Sequence, residues 1–157
     1  MLDHFTWKLQ SFEELSTTNL YHLLQLRSEV FVVEQQCAFQ DMDSVDFRCH
    51  HLTAYDKGKL VAVSRIIPAG ITYSFPSIGR IAVARSARGQ GLGVALVLKS
   101  IQTVEKRYNP EGISIGAQLY LKIFYESFGF KQIGEPYLED GIVHIKMHRK
   151  CPNSSVL

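Results

Sequence analysis

The sequence predicts an α/β fold (α+β by some conventions), a mixed central sheet flanked by helices. Three observations predict it. The hydrophobic pattern switches repeatedly between the period of a strand and the period of a helix. The switches run in the order β-α-β-β-β-α-β-α-β-β. And RSARGQGLGVALV (Arg85–Val97) sets three glycines, Gly89, Gly91 and Gly93, directly between an apolar strand and an apolar helix.

Taken in order, the first strand spans about Phe5–Leu9. Ser11-x-x-Glu14 then has the form of a capping box, opening a helix that carries Leu15, Leu20, Leu23, Leu24, Leu26 and Val30. Residues 35–48 are polar and acidic and read as a loop that covers an acceptor site or lies in solvent. His51–Tyr55 and Leu60–Ile67 are strands joined by the turn Asp56-Lys57-Gly58-Lys59. Ile78–Ala84 is the strand before the glycines. The helix after them, about 91–107, carries Val94, Val97, Leu98, Ile101 and Val104 at helical spacing and ends at Asn109-Pro110. Ile113–Ala117 is a short buried strand, Leu119–Phe128 a helix closed by Gly129, and Phe130–Glu135 and Ile142–Met147 are closing strands around Glu139-Asp140-Gly141.

A glycine-rich turn entering a helix is an anion site, because free N–H groups and the positive end of the helix dipole meet there. A Walker-type loop needs Gly-Lys-Ser/Thr, and Gly91-Leu92-Gly93-Val94 has neither lysine nor hydroxyl. A dinucleotide fingerprint needs G-x-G-x-x-G, whereas this chain reads G-x-G-x-G. Glu111, the acid that comes at about the right distance, lies in a turn rather than at a strand end. What remains is Arg88-x-x-Gly91-x-Gly93.

At 157 residues the chain makes one domain, taken as 1–150 with a short frayed tail 151–157. A hydrophobic content of 46% and a charged content of 20% are those of a globular protein, and a net charge of +2 with scattered basic residues argues against a nucleic-acid partner. There is no apolar run of membrane-spanning length and no secretory signal pattern. Three cysteines without a C-x-x-C pair point to reduced thiols and a cytoplasmic location. Asp41-x-Asp43 lacks the third ligand, glycine and glutamate of a calcium loop, and Cys49-His50-His51 on a strand alternates faces, so no metal is expected.

Arg88-x-x-Gly91-x-Gly93 behind an apolar strand resembles the acyl-CoA pyrophosphate loop of the GNAT superfamily of N-acetyltransferases. The segments LRSEVFVVEQ (Leu26–Gln35), DMDSVD (Asp41–Asp46), HHL, SRIIPAG, IGRIAV, RGQGLG, GAQ, FYESFGF (Phe124–Phe130) and EDGIVHIKM (Glu139–Met147) resemble the ElaA-like branch of that superfamily from end to end. The resemblance implies the GNAT acyl-CoA N-acyltransferase fold, with the fourth and fifth strands splayed around a slot for pantetheine. It implies acetyl-CoA as co-substrate, backbone groups of Ile81, Ala82 and Val83 on the pantetheine arm, and amides of Arg88, Gly89, Gln90, Gly91, Leu92 and Gly93 around the pyrophosphate. Arg88 or Arg85 would add charge, and Gln118 stands where many relatives carry asparagine.

In this superfamily an amine attacks the thioester directly, so Cys37 and Cys49 are expected to be inert. Tyr125 falls at the position of the general acid that protonates the departing sulfur. Gln118, seven residues earlier, would share its face at helical spacing. Glu34 is the expected base or acceptor-site residue, with Glu29, His51 and His144 as further candidates. The implied function is transfer of acetyl from acetyl-CoA to a primary amine of a small molecule or peptide. The alternative is a non-catalytic acyl-CoA-binding or regulatory module. Arg27–Phe31 also resembles the acyl-homoserine-lactone synthases, which share the fold. No membrane partner is expected, and a homodimer is left open.

Overall fold

The computed structural model describes residues 2–152; of the predicted tail, residues 153–157 lie outside the described residues. Strands β1 (Phe5–Ser11), β2 (His50–Asp56), β3 (Lys59–Ile67) and β4 (Ser77–Val83) form an antiparallel sheet in the order β1-β2-β3-β4. Strands β5 (Gly112–Gln118), β6 (Lys131–Glu139) and β7 (Ile142–Lys150) form a second, in the order β5-β7-β6. Helix α1 (Thr17–Ser28) packs on one face of the first sheet. Helix α2 (Leu92–Tyr108) packs on the other and crosses to the second sheet, and α3 (Lys122–Glu126) comes after β5. The predicted order of elements is the observed one.

Local sequence explains the boundaries. Lys57 and Gly58 both take left-handed φ, 49° and 83°, as do Asp140 and Gly141, the geometry that a two-residue hairpin turn demands. Asn109 closes α2 in the left-handed conformation. The Ser11–Glu14 capping box forms, but it caps a short 3-10 turn. Ser16 starts α1 by accepting from the Asn19 N–H, so the predicted long helix is broken at Leu15. Residues 29–34 then continue α1 as a π-helical turn. Beyond β5, a 3-10 turn (Leu119–Leu121) precedes α3, so that predicted helix is also shorter and split. On α2 the buried stripe is Leu92, Leu96, Val97, Ile101 and Val104, whereas Val94 and Leu98 face outward. The apolar residues there extend beyond the face that meets the sheets.

Of the two expectations for residues 35–48, covering a site or lying in solvent, the second needs correction, since Phe39, Gln40 and Asp43 line a cavity. Asp41 and Asp46 are buried, because three arginines reach them. Arg27, fully buried on α1, donates Nε–H to Asp41 at 2.9 Å and Nη1–H to Asp46 at 2.7 Å. Arg65 on β3 binds Asp43 at 2.8 and 3.0 Å and Asp46 at 3.2 Å, and Arg80 on β4 binds Asp41 at 2.7 Å. His51, also fully buried, meets Asp46 through Nε2 at 3.2 Å, which makes it a structural histidine here. Burial opposes ionisation of Asp46, but hydrogen bonds from His51 and Arg27 and the charges of Arg27 and Arg65 outweigh it. Its carboxyl is held far below the usual carboxylate range.

Removing one partner strands buried charge, which costs about 3–5 kcal/mol. Asp46→Asn is therefore expected to lose that much stability at pH 7 by urea unfolding. The ionised form is favoured in the folded chain, so its contribution is complete above the unfolded carboxylate value of about 3.9 and drains away as pH falls toward the lower folded value. The stability of the native sequence should fall more steeply with acid than that of the variant. Parallel profiles would show that Asp46 is not the linked group.

Candidate active site

The two sheets meet at β4 and β5, and they barely pair. The Ser114 N–H donates to the Pro76 carbonyl at 3.1 Å where the two strands start, and no ladder joins them beyond that. In the β3–β4 register the step from Val63↔Ala82 to Arg65↔Gly79 leaves β4 with one extra residue, a β-bulge at Arg80 with φ 48°. A bulge bends and twists its strand, and here β4 swings away from β5 toward its C-terminal end. The result is one continuous cavity of about 770 Å³ running through the gap.

That cavity reaches both faces. Ile115, Ala117 and Tyr125 belong to the core that α2 covers, and they line it from that side. The alternate residue Gly116 faces the other way, where the hydroxyls of Tyr73 and Tyr137 stand over it. A β-carbon at Gly116 would lie 2.8 and 3.1 Å from them, so a side chain there would push the two phenols aside. Phe31, Phe39 and His144 line the cavity on this second side. Residues of both faces of the sheet therefore line one gap.

The glycine loop follows Arg88, which lines that cavity, although Gly89–Gly93 do not line it themselves. Gly89 and Gly91 take φ 80° and 83°, which a side chain resists, and they aim the chain into α2. The first helical bond runs from the Ala95 N–H to the Gly91 carbonyl, so the N–H groups of Leu92, Gly93 and Val94 precede the helical ladder and have no partner in it. Gly91 makes no side-chain cap, and Gln90 turns its amide back to the Ala87 carbonyl at 3.1 Å. Free donors and the positive end of the helix dipole thus meet at the glycine loop, a cradle for an anion.

Arg88 is differently placed from expectation. Its Nη1 and Nη2 grip both oxygens of Glu34, the latter at 2.8 Å, and its Nε donates to the Val83 carbonyl at 3.0 Å. The guanidinium is committed, and Arg85 lies 3.7 Å from the same carboxylate. The hydrogen bond from Arg88, aided by the charges of both arginines, lowers the Glu34 pKa against a smaller effect of burial. A carboxylate so held is a poor proton acceptor, and Glu34 does not line the through-gap cavity. Neither role expected of Glu34, base or acceptor-site residue, fits this geometry. Glu29 stays outside that cavity as well.

Tyr125 is buried, its ring edge-to-face with Phe124 and Phe130 at 5.2 and 6.2 Å. Burial, helped by Tyr120, pushes its phenol up to about 12, so it stays protonated at neutral pH. Gln118 also lines the cavity, although not by helical spacing to Tyr125. It ends β5, and its amide donates to Gln35 at 3.0 Å. Ile81, Ala82 and Val83 line the gap from β4. Cys49 is buried beside Arg65 and its thiol is pushed up to about 11, chiefly by burial, while the Cys37 thiol donates to the Asp140 carbonyl at 3.2 Å. Among the described residues no group of three or more His, Cys, Asp or Glu is arranged to hold a metal.

Phe31, Phe39, Tyr73, Arg80 and Gly116 line the gap, and Tyr137 stands over Gly116, without having been expected there. Only Gly79-Arg80 carried a signal, a glycine and a charge interrupting an apolar strand, which is how a bulge reads. The aromatics come from four separate segments, and nothing local joins them.

Comparison with known proteins matches this geometry. Residues 14–151 fit the family described as Acetyltransferase (GNAT) domain. Protein ElaA of Escherichia coli is 40% identical over 146 residues, covering 92% of this chain and 95% of that protein. The crystal structure of E. coli ElaA superposes with a TM-score of 0.86 at 38% identity, covering 93% of this chain and 99% of that one. An acyl-CoA N-acyltransferase from Pseudomonas aeruginosa superposes at 0.87 with 38% identity, covering 92% and 99%. The AHL synthase LasI, at 13% identity and a TM-score of 0.70 over 94% of this chain and 90% of its own, shares the fold alone. With a family match across nearly its whole length and an ElaA relative at 40% identity, the chain belongs to the GNAT acetyltransferase family, in its ElaA-like branch.

Proposed function

We propose that this protein transfers acetyl from acetyl-CoA directly to a primary amine of a small molecule or peptide, without an acyl-enzyme. The gap between β4 and β5, lined from both faces of the sheet, carries the reading: it has aromatic walls, and Arg88 at its border leads into the anion cradle. The amides of Leu92, Gly93 and Val94 hold the pyrophosphate, and Gly89 and Gly91 let it approach. Beyond Pro76 the edge of β4 has no ladder partner, so main-chain groups of Ile81, Ala82 and Val83 serve the pantetheine arm. Gln118 stands at the far end of that path. Cys37 and Cys49 are poor nucleophiles, since one thiol is engaged and the other is held neutral, and direct attack needs neither. The cysteines are free, which supports a cytoplasmic setting. No helix among the described residues is long and apolar enough to cross a membrane.

Tyr125 supplies the proton or hydrogen bond that the sulfur needs as the C–S bond breaks. With its phenol at about 12 and an ordinary thiol near 8.5, full transfer is uphill, so its benefit falls at the low end of general-acid catalysis. Tyr125→Phe keeps the ring packing and is expected to lower kcat about tenfold. Acetyl-CoA affinity and Tm should change little. Unchanged turnover, with chemistry rate-limiting, would reduce Tyr125 to packing.

Binding is best tested at Gly93, since Gly89 and Gly91 would be strained by any side chain even without ligand. A β-carbon on Gly93 meets only Val83, at 4.0 Å, and Ala favours a helix over Gly by up to about 1 kcal/mol. Gly93→Ala should therefore hold or raise the Tm of the free protein, yet shrink the Tm rise that acetyl-CoA produces. An undiminished rise would move the pyrophosphate elsewhere.

Glu34→Gln removes a carboxylate beside the cradle and releases Arg88. Acetyl-CoA affinity should improve about two- to fivefold at low salt, an advantage that added salt erodes. Weaker binding would mean that the Glu34–Arg88 pair shapes the loop rather than competing with the ligand.

A further inference from the structure

The acceptor-side wall is charged in a one-sided way. Its lining arginines are committed: Arg65 to Asp43 and Asp46, and Arg80 to Asp41 and Asp43. No lining arginine is left for a substrate carboxylate. The β6–β7 turn, by contrast, brings Glu139 and Asp140 to the cavity, and among the described residues the only ionisable nitrogen within 4 Å of the Glu139 carboxylate is Nε2 of His144, the carboxylate being more than half exposed.

His144 is built for a proton. Its Nδ1 lies 2.7 Å from the Ile142 carbonyl, which can only accept, so Nδ1 carries hydrogen and the neutral ring keeps its lone pair on Nε2. Nε2 faces Glu139 at 3.4 Å. In that state lone pair and carboxylate are two acceptors with no donor between them, which is the arrangement an ammonium group completes. Strand register sets His144 opposite Gln118 on β5 and Tyr137 on β6, at the end of β5 that borders the gap. Tyr137 stacks on the imidazole at 5.9 Å. The other ionisable groups on this face are Asp140 in the turn, Lys146 on the same strand with its ammonium over the Tyr73 ring, and the Tyr73 phenol.

Resting on the acyl-transfer reading, we infer that the acceptor is a primary amine on an apolar body without a carboxylate, that Glu139 holds its ammonium, and that His144 takes its proton. Phe31, Phe39 and Tyr73 form the apolar walls. The ammonium gives one proton to His144 Nε2, which passes it to solvent. The freed amine lone pair forms the C–N bond at the thioester carbonyl. As the C–S bond breaks, Tyr125 donates a proton to sulfur and regains one from the nitrogen, leaving an amide and free thiol. Glu139 is a positioning residue and His144 a catalytic one.

The test compares phenethylamine with phenylalanine as acceptors, reading free CoA thiol, in the native protein, His144→Gln and Glu139→Gln. Phenethylamine is expected to be acetylated with kcat/KM at least about tenfold above phenylalanine, since a buried unpaired carboxylate is penalised. His144→Gln should lower kcat for phenethylamine about 100-fold at neutral pH, within the usual range for a lost base. The deficit should narrow as pH rises and free amine accumulates. Glu139→Gln should raise KM for the amine with a smaller change in kcat, and both variants should keep the native Tm rise with acetyl-CoA. Equal use of the two acceptors, or a His144→Gln deficit that does not vary with pH, overturns the inference. Acetyl-CoA binding with no acetylation of any amine in the native protein would instead overturn the acyl-transfer reading beneath it.

Discussion

Everything at this site depends on two neighbouring strands that fail to pair. After the single bond from Ser114 to Pro76, β4 and β5 part, and the extra residue at Arg80 keeps them apart. Unpaired strand edges are costly when buried, so a fold that keeps them needs either water or a ligand along the gap. An extended, amide-bearing arm satisfies such edges as a further strand would. The β4–α2–β5 connection then runs from the edge of the gap through the glycine loop into α2, so one crossover supplies both the slot and the anion cradle.

Holding the gap open places a burden on the opposite face. In the segment 35–48 the large apolar residues Met42 and Phe47 stay exposed rather than packing into the core. The segment is held instead by Arg27, Arg65 and Arg80 on three different elements, converging on Asp41, Asp43 and Asp46. A buried ionic cluster is weak evidence for net stability, because desolvation offsets attraction. Its value here is in placement: Arg80 joins the bulged strand to the segment that carries Phe39, and the Cys37 thiol ties that segment to the β6–β7 turn. Because the cluster neutralises itself, the electrostatic character of the acceptor side is left to the hairpin tip.

The fold was legible because its signals are local. Two hairpin turns, a capped α2 and alternating strands each arise from a few adjacent residues, and the glycine loop was readable from Gly89, Gly91 and Gly93 alone. The arginine–aspartate cluster was not, because composition cannot distinguish a solvated acid from one gripped by a distant guanidinium. Glu34 failed for the same reason: its partner Arg88 lies 54 positions away. The breaks at Leu15 and after Leu121 were hidden because hydrophobic period does not separate α from 3-10 or π geometry over one turn. His144 was visible as a histidine on a strand. Only the register beside Gln118 and Tyr137 sets it at the gap.

The π-helical turn at Glu29–Glu34 has an evolutionary reading. Such a turn holds one residue more than an α turn, so it marks a length change tolerated inside a helix. Deleting one residue there would restore α geometry and rotate the chain beyond the deletion by about 100° around the axis. Phe31 would leave the aromatic wall, or Glu34 would leave Arg88, depending on which side of the deletion each lay. Lineages can thus recast the acceptor wall and the donor mouth together through a single-codon insertion or deletion, without touching the sheet that fixes the gap.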